Sequence, residues 1–175
     1  MFDPKLLANV EAQFKCDFNG YHGIGHWACV YMNAKNIMRS MKDAGLTPDE
    51  HVVSLFALLH DAARIDEGED PAHGLRSANL ASMLRRKKLF TVTQDQMDKL
   101  FWAIRYHPEG MTSEDPTVAA CWDADRLDLF RVGITPQARY FSAPPHSCSN
   151  GMVLGGAKIN SVMLIDAIRD HRESA

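Results

Sequence analysis

The sequence predicts an all-α fold, a bundle of about six to eight helices. Three observations carry this. Apolar residues recur at three- and four-residue spacing through most of the chain. Capping and stop residues bracket those runs. Sustained apolar-polar alternation, the mark of a half-buried strand, is absent.

Asp3-Pro4 opens a first helix to about Asp17, because proline's missing N–H costs nothing at a helix start. Asn19-Gly20 breaks it, and a second helix runs from about His22 to Asp43, stopped by Gly45. Thr47-Pro48-Asp49-Glu50 caps a third helix to about Ala62 and places acidic groups in its first turn. The polar stretch Asp66 to Pro71 is a loop, followed by a fourth helix from about Ala72 to Lys88. Thr93 caps a fifth to about Tyr106, with Pro108 and Gly110 as stops. Asp115-Pro116 opens a sixth to about Arg131. Ser142 to Gly156 is rich in Pro, Ser and Gly and reads as a loop before a last helix, about Ala157 to Arg172.

The 175 residues suffice for one domain spanning 1–175, and 46% hydrophobic with 23% charged residues is a globular balance. A net charge of -3 gives no basic field, so specific nucleic-acid binding is not expected. The Arg85-Arg86-Lys87-Lys88 run reads as a helix-end or solvated feature. No apolar stretch is long enough for a membrane span, and the N-terminus has no signal-peptide pattern. Cys16, Cys29, Cys121 and Cys148 form no CxxC pair; reduced thiols in a cytoplasmic protein are expected.

Certain ionisable residues fall on apolar faces. His26 shares a helical face with Cys29, Val30, Ile37 and, one turn back, His22. His60 follows Val53, Phe56 and Ala57 at helical spacing, and Asp61 comes next. Asp125 follows Val118, Cys121 and Trp122 in the same way. A carboxylate aimed at a core is costly unless paired or bound to a metal. Two imidazoles and two carboxylates converging from three helices can satisfy one another through a divalent ion. Such a donor set suits Zn, Mn, Fe, Co or Ni. The competing reading is a hydrogen-bonded cluster, with ion pairs such as Asp125 to Arg126 or Arg64.

Three motifs in order resemble the HD-domain metal-dependent phosphohydrolase superfamily. Tyr21-His22-Gly23-Ile24-Gly25-His26-Trp27, leading to Val30 and Ala34, is similar to its first histidine helix. Val53 to Asp61 is similar to its apolar helix ending in His-Asp. Asp123-Ala124-Asp125-Arg126-Leu127-Asp128 resembles its last ligand motif. The likeness covers about residues 20–130.

The resemblance implies an all-α HD bundle with a metal held by His26, His60, Asp61 and Asp125. It implies hydrolysis of a phosphate ester, on a nucleotide or similar small metabolite. Some such proteins hold a second metal through two further histidines, a role open here to His73 and His107, although His73 follows the His-Asp pair closely. Unligated, either histidine is a candidate general acid. His22 fits a supporting place beside a ligand. Asp123 faces away from Asp125 and reads as solvated or helix-capping.

Arg64, Arg105 and Arg126 are candidates for holding substrate phosphate. Arg64 departs from family nucleotidases that place a glutamate three residues after the aspartate, and its rival role is an ion pair with Asp66, Glu67 or Asp70. The acidic loop from Asp66 to Asp70 is a solvated loop by default, with a lid as its other reading. Two other functions fit the same residues: a di-iron oxygenase, or a non-catalytic metal- or nucleotide-binding module. Residues 133–175 carry no motif and are expected to pack on the motif-bearing core, closing over the site or forming a homodimer contact.

Overall fold

Asp3 starts the first helix: its carboxylate accepts from Leu6 N at 2.9 Å, and Pro4 follows it. Helix α1 (Pro4–Glu11) buries Leu6, Leu7 and Val10. It ends earlier than the expected Asp17. The chain turns so that Phe18 O accepts from Ile24 N at 2.9 Å, while Phe14 and Phe18 pack edge-on against Trp27. This computed structural model describes residues 2–142; the expected helix over 157–172, Cys148 and most of the expected 142–156 loop lie outside the described residues.

Helix α2 (Ile24–Asp43) begins after Gly23. A Cβ at Gly23 would stand 2.0 Å from Phe18 O, so the turn can close only around glycine. His22 therefore lies in the turn before α2, and not on its first helical face as expected. Asp49 caps α3 (Glu50–Leu59) through the N–H groups of His51 and Val52, and its other oxygen accepts from Gln96 Nε2 at 2.8 Å. Helix α3 stops at Leu59, short of the expected Ala62, with His60 as its cap and Asp61 in the turn beyond.

Helix α4 (His73–Arg86) carries Arg85 and Arg86 in its last turn, and Arg85 bonds Gln94 Oε1 and Val92 O. A Thr93–Gln96 capping box opens α5 (Gln94–Tyr106). Asp115 caps α6 (Pro116–Arg126), which ends before the expected Arg131. A short 3-10 turn, His107–Glu109, lies between α5 and α6, and two more, Leu129–Val132 and Ala138–Tyr140, follow α6.

The fold is all-α: six α-helices and no strand among the described residues. Helix α3 is central, packed against α2, α5 and α6, and α4 lies along α5. Trp27, Phe56, Leu58, Leu59, Leu100 and Ile104 are fully buried in the shared core. No helix among the described residues is long and apolar enough to cross a membrane. Three side-chain bonds tie the motif-bearing elements together. Asn33 Nδ2 on α2 donates to Ala124 O on α6 at 3.1 Å. Trp122 Nε1 donates to Ala103 O at 2.9 Å. Ser77 Oγ accepts from Ala63 N, holding α4 against the turn after Asp61.

Candidate metal centre

The end of α3 delivers His60 and Asp61 to the middle of the bundle. His60 is completely buried, stacked on Phe56 with ring centroids 4.9 Å apart, and Asp61 is 2% exposed. Helix α2 brings His26 from one side and α6 brings Asp125. His26 Nε2 stands 2.9 Å from His60 Nε2, 3.3 Å from Asp125 Oδ1 and 3.7 Å from Asp61 Oδ2. The start of α4 and the end of α5 bring His73 and His107 to the other Asp61 oxygen. Their Nε2 atoms are 2.9 Å apart and lie 3.3 and 3.5 Å from Asp61 Oδ1. A Cβ at Gly74 would meet Arg105 O at 2.7 Å, so glycine permits the α4–α5 approach that joins these two rings.

The tautomers follow from the outer ring nitrogens. His60 Nδ1 faces Phe56 O, His107 Nδ1 faces Ile104 O, and His73 Nδ1 faces Asp70 O. A carbonyl can only accept, so Nδ1 of His60 and His107 carries the proton; His73 Nδ1 also lies 3.3 Å from Arg64 Nη1, but its closer contact with Asp70 O puts the proton there too. His26 Nδ1 lies 2.8 Å from Asp128 Oδ2 and donates to it. In the neutral rings every inner Nε2 is a bare lone pair. Two such pairs then face each other at 2.9 Å with no proton between them. Asp61 Oδ1, buried beside the second pair, has no hydrogen-bond partner. A cation satisfies all of these atoms. Donor atoms held about 2.0–2.2 Å from one ion stand roughly 2.9–3.5 Å apart, which is the spacing within each histidine pair and from His26 to Asp125. The groups His26–His60–Asp61, His60–His107–Asp125 and Asp61–His73–His107, all buried but for a half-buried Asp125, each have donor atoms close enough to hold an ion.

Electrostatics fit this donor state at His60 and His73; at His26 they favour a proton on Nε2, which a bound cation would displace. Burial pushes His60 down to about 3, against the pull of Asp61 and Asp125, and so keeps it neutral. Burial, then the neighbouring His107, also lowers His73. Burial acts to raise Asp61, but the surrounding His60, His107 and His22 rings outweigh it and hold the carboxyl well below its ordinary range. Asp125 is lowered too, because the His26 hydrogen bond and the nearby imidazoles overcome burial. For His26, burial and Arg131 oppose the charged form, yet bonds to Asp125 and Asp128 prevail and raise it.

A pH dependence follows for the metal-free protein. His60 titrates near 6.5 when unfolded and near 3 when folded. As pH falls from 6.5 toward 3, the unfolded chain takes up a proton that the folded chain refuses, so stability declines. His73 adds in the same direction and the raised His26 opposes it, leaving a net loss with the two lowered rings. The urea midpoint in chelator is expected to be lower at pH 4.5 than at pH 7.

The comparisons add no relative. No protein-family model, curated protein or solved structure matches the chain.

The remaining expected residues are placed as follows. His22 Nδ1 is 3.0 Å from Asp61 Oδ2 and its Nε2 faces Glu67 O, so it braces the shared carboxylate. Arg64 Nε and Nη2 donate to Asp66 O and Gly68 O, while Nη1 lies 3.3 Å from His73 Nδ1 and 3.8 Å from Asp61 Oδ1. Asp70 pairs with Arg76, and not with Arg64 as one expectation had it. Arg126 is tied to Tyr140 O and Met111 O while lining the cavity beside the centre. Arg105 lies outside that cavity, over the Tyr106 ring and beside Glu109. Asp123 is 1% exposed, which corrects the solvated reading: the returning chain covers it, and Ser142 N donates to it at 2.9 Å.

Roles at the centre for Asp128 and Arg131 are not among the sequence expectations, and Glu67 is expected there only as a partner for Arg64 or part of the acidic loop. Asp128 orients His26, and Arg131 Nη2 reaches within 3.9 Å of Asp61 Oδ2. The three-residue spacing Asp125–Asp128–Arg131 was the available signal, since it keeps side chains on one helical face. Removing a partner that orients a ligating histidine typically costs about 10–100-fold in metal affinity. Asp128→Ala is expected to show a loss of that size in a calorimetric Mn(II) titration.

Proposed function

We propose that this chain is a metal-dependent phosphohydrolase of the HD-domain type, acting on the phosphate ester of a small metabolite. The observation that carries it is the pair of facing histidines on each side of Asp61, every Nε2 turned inward. His26, His60, Asp125 and Asp61 Oδ2 would hold one divalent ion; His73, His107 and Asp61 Oδ1 would hold a second. Mn, Co, Ni, Zn and Fe all suit these donors. Such an ion lowers the pKa of water and offsets charge developing on a phosphoryl group.

The protein's own groups supply position and polarity. Asp61 shares its two oxygens between the halves of the site, and His22 fixes its orientation. Arg131 Nε and Nη1 are anchored on Tyr21 O and Asp128 O and Nη2 lies 3.2 Å from His22 Nδ1, so the guanidinium adds fixed positive charge at the cavity. Arg64 is braced against the acidic loop at the same cavity and adds positive charge. With Nδ1–H committed to carbonyls, neutral His73 and His107 have no proton on Nε2 to donate, which favours ligation over a general-acid role.

The test is phosphate release from a panel of phosphate esters by protein loaded with each metal in turn. Release that depends on metal and disappears in chelator is expected. Metal-loaded protein that releases no phosphate overturns the proposal. Oxygen consumption by the iron-loaded form would point instead to the di-iron oxygenase reading, which the same donors permit.

A further inference from the structure

We infer that the substrate carries a single phosphate on a largely apolar organic group; this rests on the phosphohydrolase reading above. A cavity of about 630 Å³ opens directly on the centre. Its ionic lining includes Asp61, Asp125, His73, His107 and Arg131. Its apolar lining comes mostly from the chain that follows α6: Leu129, Val132, Ile134, Pro136 and Phe141, with Tyr140 among them. Val132 and Ile134 are 37% and 53% exposed, so apolar surface is kept open beside a charged centre.

The cations of the cavity limit how many phosphates it takes. No lysine is among the described residues that line it. Arg126 is committed to two backbone carbonyls and Arg64 to two more. Arg131 is likewise held by two carbonyls, with Nη2 3.2 Å from His22 Nδ1, so the three guanidinium groups together leave few donors, enough for one phosphoryl group. Glu67 and Glu109 also line it, and both Glu67 carboxylate oxygens lack a hydrogen-bond partner. A second or third phosphate would meet these carboxylates with no cation to offset them. The organic end meets little that reads a polar ring: among the described lining residues, Gln137 is the one side-chain amide.

The experiment compares kcat/KM of the metal-loaded full chain across n-alkyl phosphates from ethyl to hexyl, a nucleoside monophosphate and a nucleoside triphosphate. Calorimetry of the matching n-alkylphosphonates gives a readout independent of turnover. A rise of about two- to fourfold per added methylene is expected, as burial of each CH₂ on an open apolar wall would give. Ile134→Asp should flatten that rise, and the triphosphate should be the poorest substrate. A flat series, or a triphosphate preferred over hexyl phosphate, overturns this inference and leaves the phosphohydrolase reading standing. Release from none of the esters overturns that reading, and phosphonate affinity that does not grow with chain length then overturns this one as well.

Discussion

Asp61→Ala is expected to strip the protein of bound metal and lower kcat/KM by at least about a thousandfold, roughly 4 kcal/mol of transition-state stabilisation. The size follows from its place. One Asp61 oxygen faces His26 and His60, the other faces His73 and His107, and His22 bonds the first. No other carboxylate among the described residues is so shared. Asp61→Asn separates charge from shape, because the amide fills the same space with one poor ligand atom and no net charge. Metal content by plasma emission, read beside phosphate release, checks both variants. Full metal content in Asp61→Ala would remove this residue from the ligand set.

The largest stability loss is expected from Phe56→Ala. Phe56 is fully buried at the centre of α3 and stacks on His60 at an interplanar angle of 18°. Truncating a buried phenylalanine costs about 3–5 kcal/mol through lost transfer energy and the cavity left behind. Here the cavity would also free the His60 ring. A lower urea midpoint should therefore accompany weaker metal binding. Excess divalent metal should recover part of the stability, since an ion that binds only the folded chain favours it by mass action. A loss below about 1 kcal/mol would mean that the core collapses around the site without strain.

The helices were legible because their end signals are chemical and local. Asp3, Asp49, Thr93 and Asp115 all cap through their own side chains. Where ends were overrun, contacts remote in sequence decide. Helix α1 stops for the turn around Gly23, and α6 gives way to the 3-10 turn that carries Arg131. His26, His60, Asp61 and Asp125 stood out because a polar residue at an apolar helical position needs a partner. His73 and His107 were visible only as histidines at helix ends; the close approach at Gly74, which joins them, has no periodic signature. Glu67 lies in a loop, where spacing gives no direction. Asp123 was misread because helical phase pointed it away from Asp125, while residues 141–142 fold back over that face.

Metal stoichiometry of the purified protein and its His107→Ala variant, after equilibration with Mn(II) and removal of loose ion, addresses the central claim most directly. Two ions per chain in the parent and one in the variant are expected, because His107 Nε2 stands closest to His73 Nε2, at 2.9 Å, and beside Asp61 Oδ1. A parent that retains no ion, or a variant that retains as many as the parent, would contradict a centre divided across the two oxygens of Asp61.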